Sequence, residues 1–203
     1  MTPRLLVATA NRHKTAEIRE ILGGTWETFD LHDHAAGAQA EENGATFEAN
    51  AQIKALAAAA RFDGIVLADD SGLEVDPLGG QPGVRSARYA GPGADDAANR
   101  ARLLAELRKT GIAPSEWTAR FRCVIALARQ NEVLGVFHGT VEGRIGEKEQ
   151  GEGGFGYDPL FFPDGFALTF AQLSGAEKNA ISHRGRALRA AADHLESLRS
   201  PRR

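Results

Sequence analysis

Ile65-Val66-Leu67-Ala68-Asp69-Asp70-Ser71-Gly72 is the stretch whose reading decides the fold. Four apolar residues in succession leave no room for helical periodicity and fit a buried strand. Asp69 to Gly72 then reads as an acidic turn at the strand's C-terminal end, the place where open α/β sheets bind ligands. Two adjacent carboxylates there repel each other, so a divalent cation is a natural occupant. Hard oxygen donors beside a phosphate favour Mg²⁺ over zinc. The same residue types also make an ordinary solvated turn. Both readings stand on residue types and position alone.

Working outward, Arg4 to Ala8 is a second short apolar run and reads as a strand. Polar Thr9 to His13 leads into a helix from Lys14 to Leu22, with Ile18, Ile21 and Leu22 on one face, stopped by Gly23-Gly24. Thr46 can cap another helix, in which Phe47, Ala51, Ala55, Ala58 and Phe62 recur at helical spacing. Leu73 to Tyr89 is rich in Gly and Pro and reads as loop or short strand. Asp95 to Lys109 is helical.

Ala119 to Leu127 reads as a strand, half exposed at its start, with Val133 to Val141 as its antiparallel partner. Ser174 and Glu177 form a capping box for one last helix carrying Ile181, Leu188, Ala191, Leu195 and Leu198. Strands alternate with helices around a central hairpin, so the class is α/β with mixed strand directions.

A chain of 203 residues is one domain or two small lobes, and 42% hydrophobic with 25% charged residues is a globular composition. A net charge of −3 gives no reason to expect a nucleic-acid partner. An anionic ligand must then be held by local cations, backbone N–H groups or a metal. Cys123 is the only cysteine, which excludes an intrachain disulfide and a Cys-type zinc site. No apolar run is long enough for a membrane span and no signal peptide is evident, so the expectation is a cytoplasmic protein without membrane contact.

Several segments carry chemistry. Thr9-Ala10-Asn11-Arg12-His13-Lys14 lies between a strand and a helix start, where free N–H groups and the helix dipole favour phosphate and Lys14 adds a charge. It is not a Walker A loop, because Ala8 and His13 occupy the glycine positions. Gly151, Gly153 and Gly156 match Gly-x-Gly-x-x-Gly, but Pro159 and Pro163 prevent the helix a dinucleotide loop must open. Phe155 and Tyr157 on that stretch either stack against a base or belong to the core.

Lys178, His183 and Arg184 near one helix start suit an anionic or purine ligand, or form a solvated basic face. Glu41-Glu42 precedes the helix carrying Asn50 and Lys54 at i, i+4. A carboxylate there can complete a metal site and Lys54 can hold a phosphate, or both are surface groups. His32-Asp33-His34 reads as a surface loop.

Taken in order, these motifs resemble one family, the inosine triphosphate pyrophosphatases, also called dITP/XTP pyrophosphatases. The matching segments are Leu6-Val-Ala-Thr-Ala-Asn11 with Lys14 and Glu17, Glu42-Asn-Gly-Ala-Thr-Phe-Glu-Ala-Asn50 with Lys54, and Ala68-Asp-Asp-Ser-Gly-Leu-Glu-Val75. Further on come Gly83-Val-Arg-Ser-Ala-Arg-Tyr-Ala90, Phe121-Arg-Cys123, Gly153-Gly-Phe-Gly-Tyr-Asp-Pro159 and Glu177-Lys-Asn-Ala-Ile-Ser-His-Arg-Gly185.

The resemblance implies one domain over residues 1–203, an elongated two-lobed α/β fold around a long twisted mixed sheet flanked by helices. The active site would lie in the cleft between the lobes, and the protein would be a homodimer. It implies Mg²⁺-dependent hydrolysis of non-canonical purine nucleoside triphosphates (ITP, dITP, XTP) to the monophosphate and pyrophosphate. Other modified nucleotides as substrates, or nucleotide binding without turnover, are the alternatives.

By position, Asp70 would be the catalytic carboxylate and a metal ligand, with Glu42 a second ligand and Asp69, close by, in the same metal set. Thr9, Asn11, Lys14 and Lys54 would hold the triphosphate, with Ala10, Arg12 and His13 in the same loop, and Ser71 would touch the nucleotide. Phe155, Gly156, Tyr157 and Asp158 would line the base and sugar, while Lys178, His183 and Arg184 would read the 6-oxo purine. The family usually has Gly where Ala10 and His13 stand.

Overall fold

The apolar run at Ile65 does not stop at the acidic motif. Ile65–Val75 is one strand, and Asp69-Asp70-Ser71-Gly72 lies inside it, with Leu73 and Val75 fully buried beyond. The expected turn is therefore strand. Ion pairs on both carboxylates let the strand carry them through the interior, where an unpaired charge is prohibitive.

The computed structural model describes residues 3–33 and 40–199. His34 lies outside them, so the His32-Asp33-His34 segment is described only in part. Numbering strands and helices in chain order, β1 is Arg4–Val7, β2 Glu27–Asp30, β3 Ile65–Val75, β4 Thr118–Arg129, β5 Glu132–Ile145 and β6 Phe161–Pro163. The helices are α1 Arg12–Leu22, α2 Phe47–Ala59, α3 Asp96–Lys109, α4 Gly175–Ile181 and α5 His183–Arg199.

The strands hydrogen-bond in the order β2-β1-β3-β4-β5-β6. β1 runs parallel to both β2 and β3, with Leu5 opposite Ile65 and Val7 opposite Leu67. β6 is antiparallel to β5, and only Gln130 and Asn131 separate β4 from β5, a connection that permits only an antiparallel pair. The sheet is mixed, as expected.

The described residues divide into two compact units, and β3, β4 and β5 contribute to both. The first comprises Met1–Asp70, Cys123–Gly139 and Arg184–Arg203. Its core packs Leu5, Val7, Ile65, Leu67, Cys123, Ile125 and Leu127 from the strands against Ile18 and Leu22 of α1 and Ala187, Leu188, Ala191 and Leu195 of α5. Leu6 and Val66, on the alternate strand positions, are also fully buried, so this part of the sheet is covered on both faces.

The second unit comprises Ser71–Arg122 and Thr140–His183. Leu103, Leu104 and Leu107 of α3 pack there with Leu73, Val75, Trp117, Phe121, Val141, Phe161 and Phe170. The rings of Phe121 and Phe161 meet edge to face at 4.8 Å.

Other local features also depart from the sequence reading, β6 among them. β2 was not expected, because four residues of Glu-Thr-Phe-Asp are too few to show a period and are fixed by pairing with β1. The last helix is two. Ser182 takes extended backbone (ψ 158°) after its N–H closes α4 on Lys178 O at 2.8 Å, and α5 restarts at His183. The unbroken apolar spacing hides this break: Ile181 packs on the core of the second unit, while Leu188, Ala191 and Leu195 belong to the first.

Among the described residues no helix is long and apolar enough to cross a membrane.

Candidate active site

Successive side chains of a strand point to opposite faces, and this separates the two carboxylates of β3. Asp69 Oδ2 lies 3.0 Å from Lys14 Nζ and 3.3 Å from Arg184 Nη2. Arg184 also reaches Glu17 through Nη1. Asp70 Oδ1 lies 2.9 Å from Lys54 Nζ, and its Oδ2 accepts from Asn50 Nδ2 at 3.2 Å. The Lys54 ammonium is 3.2 Å from Glu42 Oε1 as well. Each carboxylate thus has its own cations, and repulsion between neighbours no longer requires a metal to explain the motif.

Local structure fixes these partners. Asn11 caps α1 by accepting from the N–H groups of His13 at 3.0 Å and Lys14 at 3.3 Å. That cap sets Lys14 in the first turn and Glu17 three residues on, along the same face. It also takes up two of the N–H groups a helix start would otherwise offer to phosphate. Thr9 Oγ1 accepts from Asn11 N at 3.1 Å, while Ala10, Arg12 and His13 are exposed. What this segment presents to an anion is side-chain charge, Lys14 above all.

Thr46 caps α2 through Ala49 N, which puts Asn50 and Lys54 one turn apart, both buried. Asn50 Oδ1 accepts from Gly44 N at 2.8 Å, so its amide nitrogen is left to face Asp70.

The two carboxyls differ in electrostatics. Burial opposes ionisation of Asp69, but Lys14 and Arg184 outweigh it and hold the carboxyl well below the usual range. For Asp70 burial dominates and pushes the carboxyl up, with Lys54 offsetting only part of the rise. Burial also works against the charge of Lys54, yet Asp70, Asp69 and Glu42 hold its ammonium above the ordinary lysine value. One aspartate is a fixed anion; its neighbour is poised nearer to neutrality.

The second unit gathers a different set. Lys178, 5% exposed, lies with Nζ 2.7 Å from Asp158 Oδ2 and 4.8 Å from the Phe155 ring centre. Asp158 Oδ2 also accepts from Phe155 N at 2.9 Å. The loop can come this close because Gly154 takes φ +70° and a Cβ there would meet Asp158 Oδ2 at 2.2 Å. His183 stacks on Phe121 with ring centres 4.8 Å apart and planes 10° from parallel.

Tyr157 is a core residue, donating its hydroxyl to Ser86 O at 2.8 Å, while Phe155 and Gly156 are half-buried. Ser71 is half-buried on β3. Of the three residues expected to act together near the last helix, Lys178 and His183 fall in the second unit. Arg184, 1% exposed, belongs to the first, between Asp69 and Glu17. Adjacent positions at the start of α5 thus serve different units.

Sequence reasoning gave no role to Asn50 or to the Glu17–Arg184 pair. The i, i+4 spacing of Asn50 and Lys54 was the available signal for the first. Nothing local announces the second, whose partners lie 167 positions apart.

Among the described residues no three His, Cys, Asp or Glu side chains gather as a metal cluster. Glu42 and Asp70 nevertheless converge on one cation, the Lys54 ammonium. Such a donor set fits a hard divalent ion that takes one or two carboxylates and completes its shell with water and substrate phosphate.

The Ham1 family model matches residues 5–194. A dITP/XTP pyrophosphatase from Desulforamulus reducens is 47% identical over 96% of this chain and 96% of its own length. One from Geobacter sulfurreducens is 48% identical over 95% of this chain and 96% of its length. Among solved structures, a HAM1 protein from Coxiella burnetii superposes with TM-score 0.86 at 38% identity, covering 96% of this chain and 99% of the other. The Staphylococcus aureus Ham1 protein gives 0.84 at 39%, covering 97% and 100%. Matched from β1 into α5 by sequence and by fold, the chain belongs to the Ham1 family.

Proposed function

We propose that this protein is a dITP/XTP pyrophosphatase. It would hydrolyse ITP, dITP and XTP to the nucleoside monophosphate and pyrophosphate, and so cleanse the nucleotide pool. The observation that carries the reading is the Asp70 carboxylate, buried and pushed up, held by Lys54 and Asn50 with Glu42 on the same ammonium. The names of the relatives support it.

Asp70 takes a proton from the attacking water, whose oxygen bonds to the α-phosphorus as the bond to the α–β bridging oxygen breaks and pyrophosphate leaves. Lys14 and Lys54 offset charge on the phosphates. Glu42 and Asp70 would hold Mg²⁺, which would supply charge neutralisation at the phosphates. Asp69 is occupied by Lys14 and Arg184 and acts at one remove, by fixing Lys14.

On the base side, Phe155 offers a ring face while Lys178 and His183 supply donors to a purine 6-oxygen; Asp158 holds the Lys178 ammonium in place. An adenine amino group would leave those donors unpaired, the kind of mismatch that discriminates strongly. The protein would act in the cytoplasm, as a homodimer.

A panel of kcat/KM values for dITP, XTP, dGTP and dATP with Mg²⁺ tests the proposal. Preference for dITP and XTP is expected; equal or better turnover of dATP would contradict it.

A further inference from the structure

The loop that carries Phe155 is held from outside the motif. In α3, Asp96 and Arg100 stand one turn apart on one face, and both bind the same residue of that loop. Asp96 Oδ2 accepts from Gly156 N at 2.7 Å. Arg100 Nη1 donates to Gly156 O at 2.8 Å. Arg100 Nε is also ion-paired with Glu149 Oε1 at 2.9 Å, where the chain enters the loop.

Both backbone groups of a single glycine are therefore taken by one helix through charged side chains, whose hydrogen bonds are stronger than neutral ones. Gly156 needs this. At φ +61° it has no regular structure to hold it, and it separates Phe155 from core residue Tyr157. Tyr157 anchors one side through Ser86, and Asp158 ties Phe155 N to Lys178. Without α3, the Phe155–Gly156 peptide would hang between those two anchors.

The geometry points to Asp96 and Arg100 as positioning residues for base recognition: they fix the Phe155–Gly156 segment, and with it the Phe155 ring over Lys178. Asp96 and Arg100 belong to the second unit, while the acidic set on β3 and α2 belongs to the first, so their effect falls on selecting the base and not on breaking the phosphoanhydride. This rests on the assignment of Phe155 and Lys178 to the base side.

Asp96→Ala removes the acceptor at the first residue of α3, where Asp95 remains the cap and alanine is an excellent helix former. The expected result is a KM for dITP raised about tenfold with kcat within about twofold, the equivalent of one charged hydrogen bond. The preference for dITP over dATP should fall in step. Asp96→Asn keeps an oxygen for Gly156 N and should restore most of both. Arg100→Gln should act in the same direction, and combining it with Asp96→Ala should add little, since both act through Gly156.

Amide hydrogen exchange at Gly156 needs no substrate and should speed up in Asp96→Ala. Unchanged exchange there would overturn the clamp, as would wild-type KM and dITP preference in both variants alongside a lowered Tm. A wild-type protein inactive on dITP would instead sink the proposed activity, leaving the exchange result to decide the clamp.

Discussion

Asp70 Oδ1 and Lys54 Nζ are 2.9 Å apart, and both side chains are more than nine-tenths buried. The contact joins mid-strand β3 to the middle of α2, and it sets Asp70 apart from Asp69, whose cations come from α1 and α5. Two carboxylates adjacent in sequence are thus paired with different groups.

Asp70→Asn should therefore cost activity and little else. The amide is isosteric, and Lys54 keeps Glu42 as a counter-charge. Losing the proton acceptor should lower kcat by about 10²–10⁴-fold, with thermal unfolding close to wild type. Steady-state kinetics beside a melting curve checks both halves of the statement.

Arg184 should behave in the opposite way, as a residue of stability first. Its guanidinium lies between Asp69 and Glu17, so Arg184→Leu takes a buried cation from both and leaves Asp69 to Lys14. Removing one partner of a buried pair costs about 3–5 kcal/mol, measurable by urea unfolding. Arg184→Lys should recover only part, since one ammonium cannot reproduce the planar fork.

Asp30 predicts an acid-side dependence of stability remote from the acidic motif. Burial opposes its charge, but the N–H groups of Asp33 and His32, and then Arg19, lower its carboxyl below the ordinary value. A lowered folded-state value means a contribution fully present above the unfolded value of about 4 and lost as pH falls through the folded one. The stability difference between wild type and Asp30→Asn should be constant from pH 5 to 8 and shrink below about pH 4. Urea midpoints across that range test it.

What was legible in the sequence was what local chemistry decides. Thr46 before α2 and the Ser174–Glu177 box before α4 announce their helices through hydrogen bonds that span three residues, and both are made. The strand–helix alternation and the β4–β5 hairpin follow from period alone. Asp69 to Gly72 misled because these residue types favour turns; the cations that keep them in a strand come from α1, α2 and α5, out of reach of any local window. The break at Ser182 was hidden for the same reason, since only the destination of Ile181 and Leu188 in different cores reveals it. How the candidate residues group was not legible, and Arg184 shows it most clearly: it reads as a neighbour of His183 and folds as a partner of Asp69.

The most direct test of the central claim follows the oxygen of the attacking water. In H₂¹⁸O with dITP and Mg²⁺, mass spectrometry of the products should find one ¹⁸O in dIMP and none in pyrophosphate, with the same reaction nearly silent in Asp70→Asn. Label in the pyrophosphate, or release of orthophosphate in its place, would contradict attack at the α-phosphorus and with it the assigned activity.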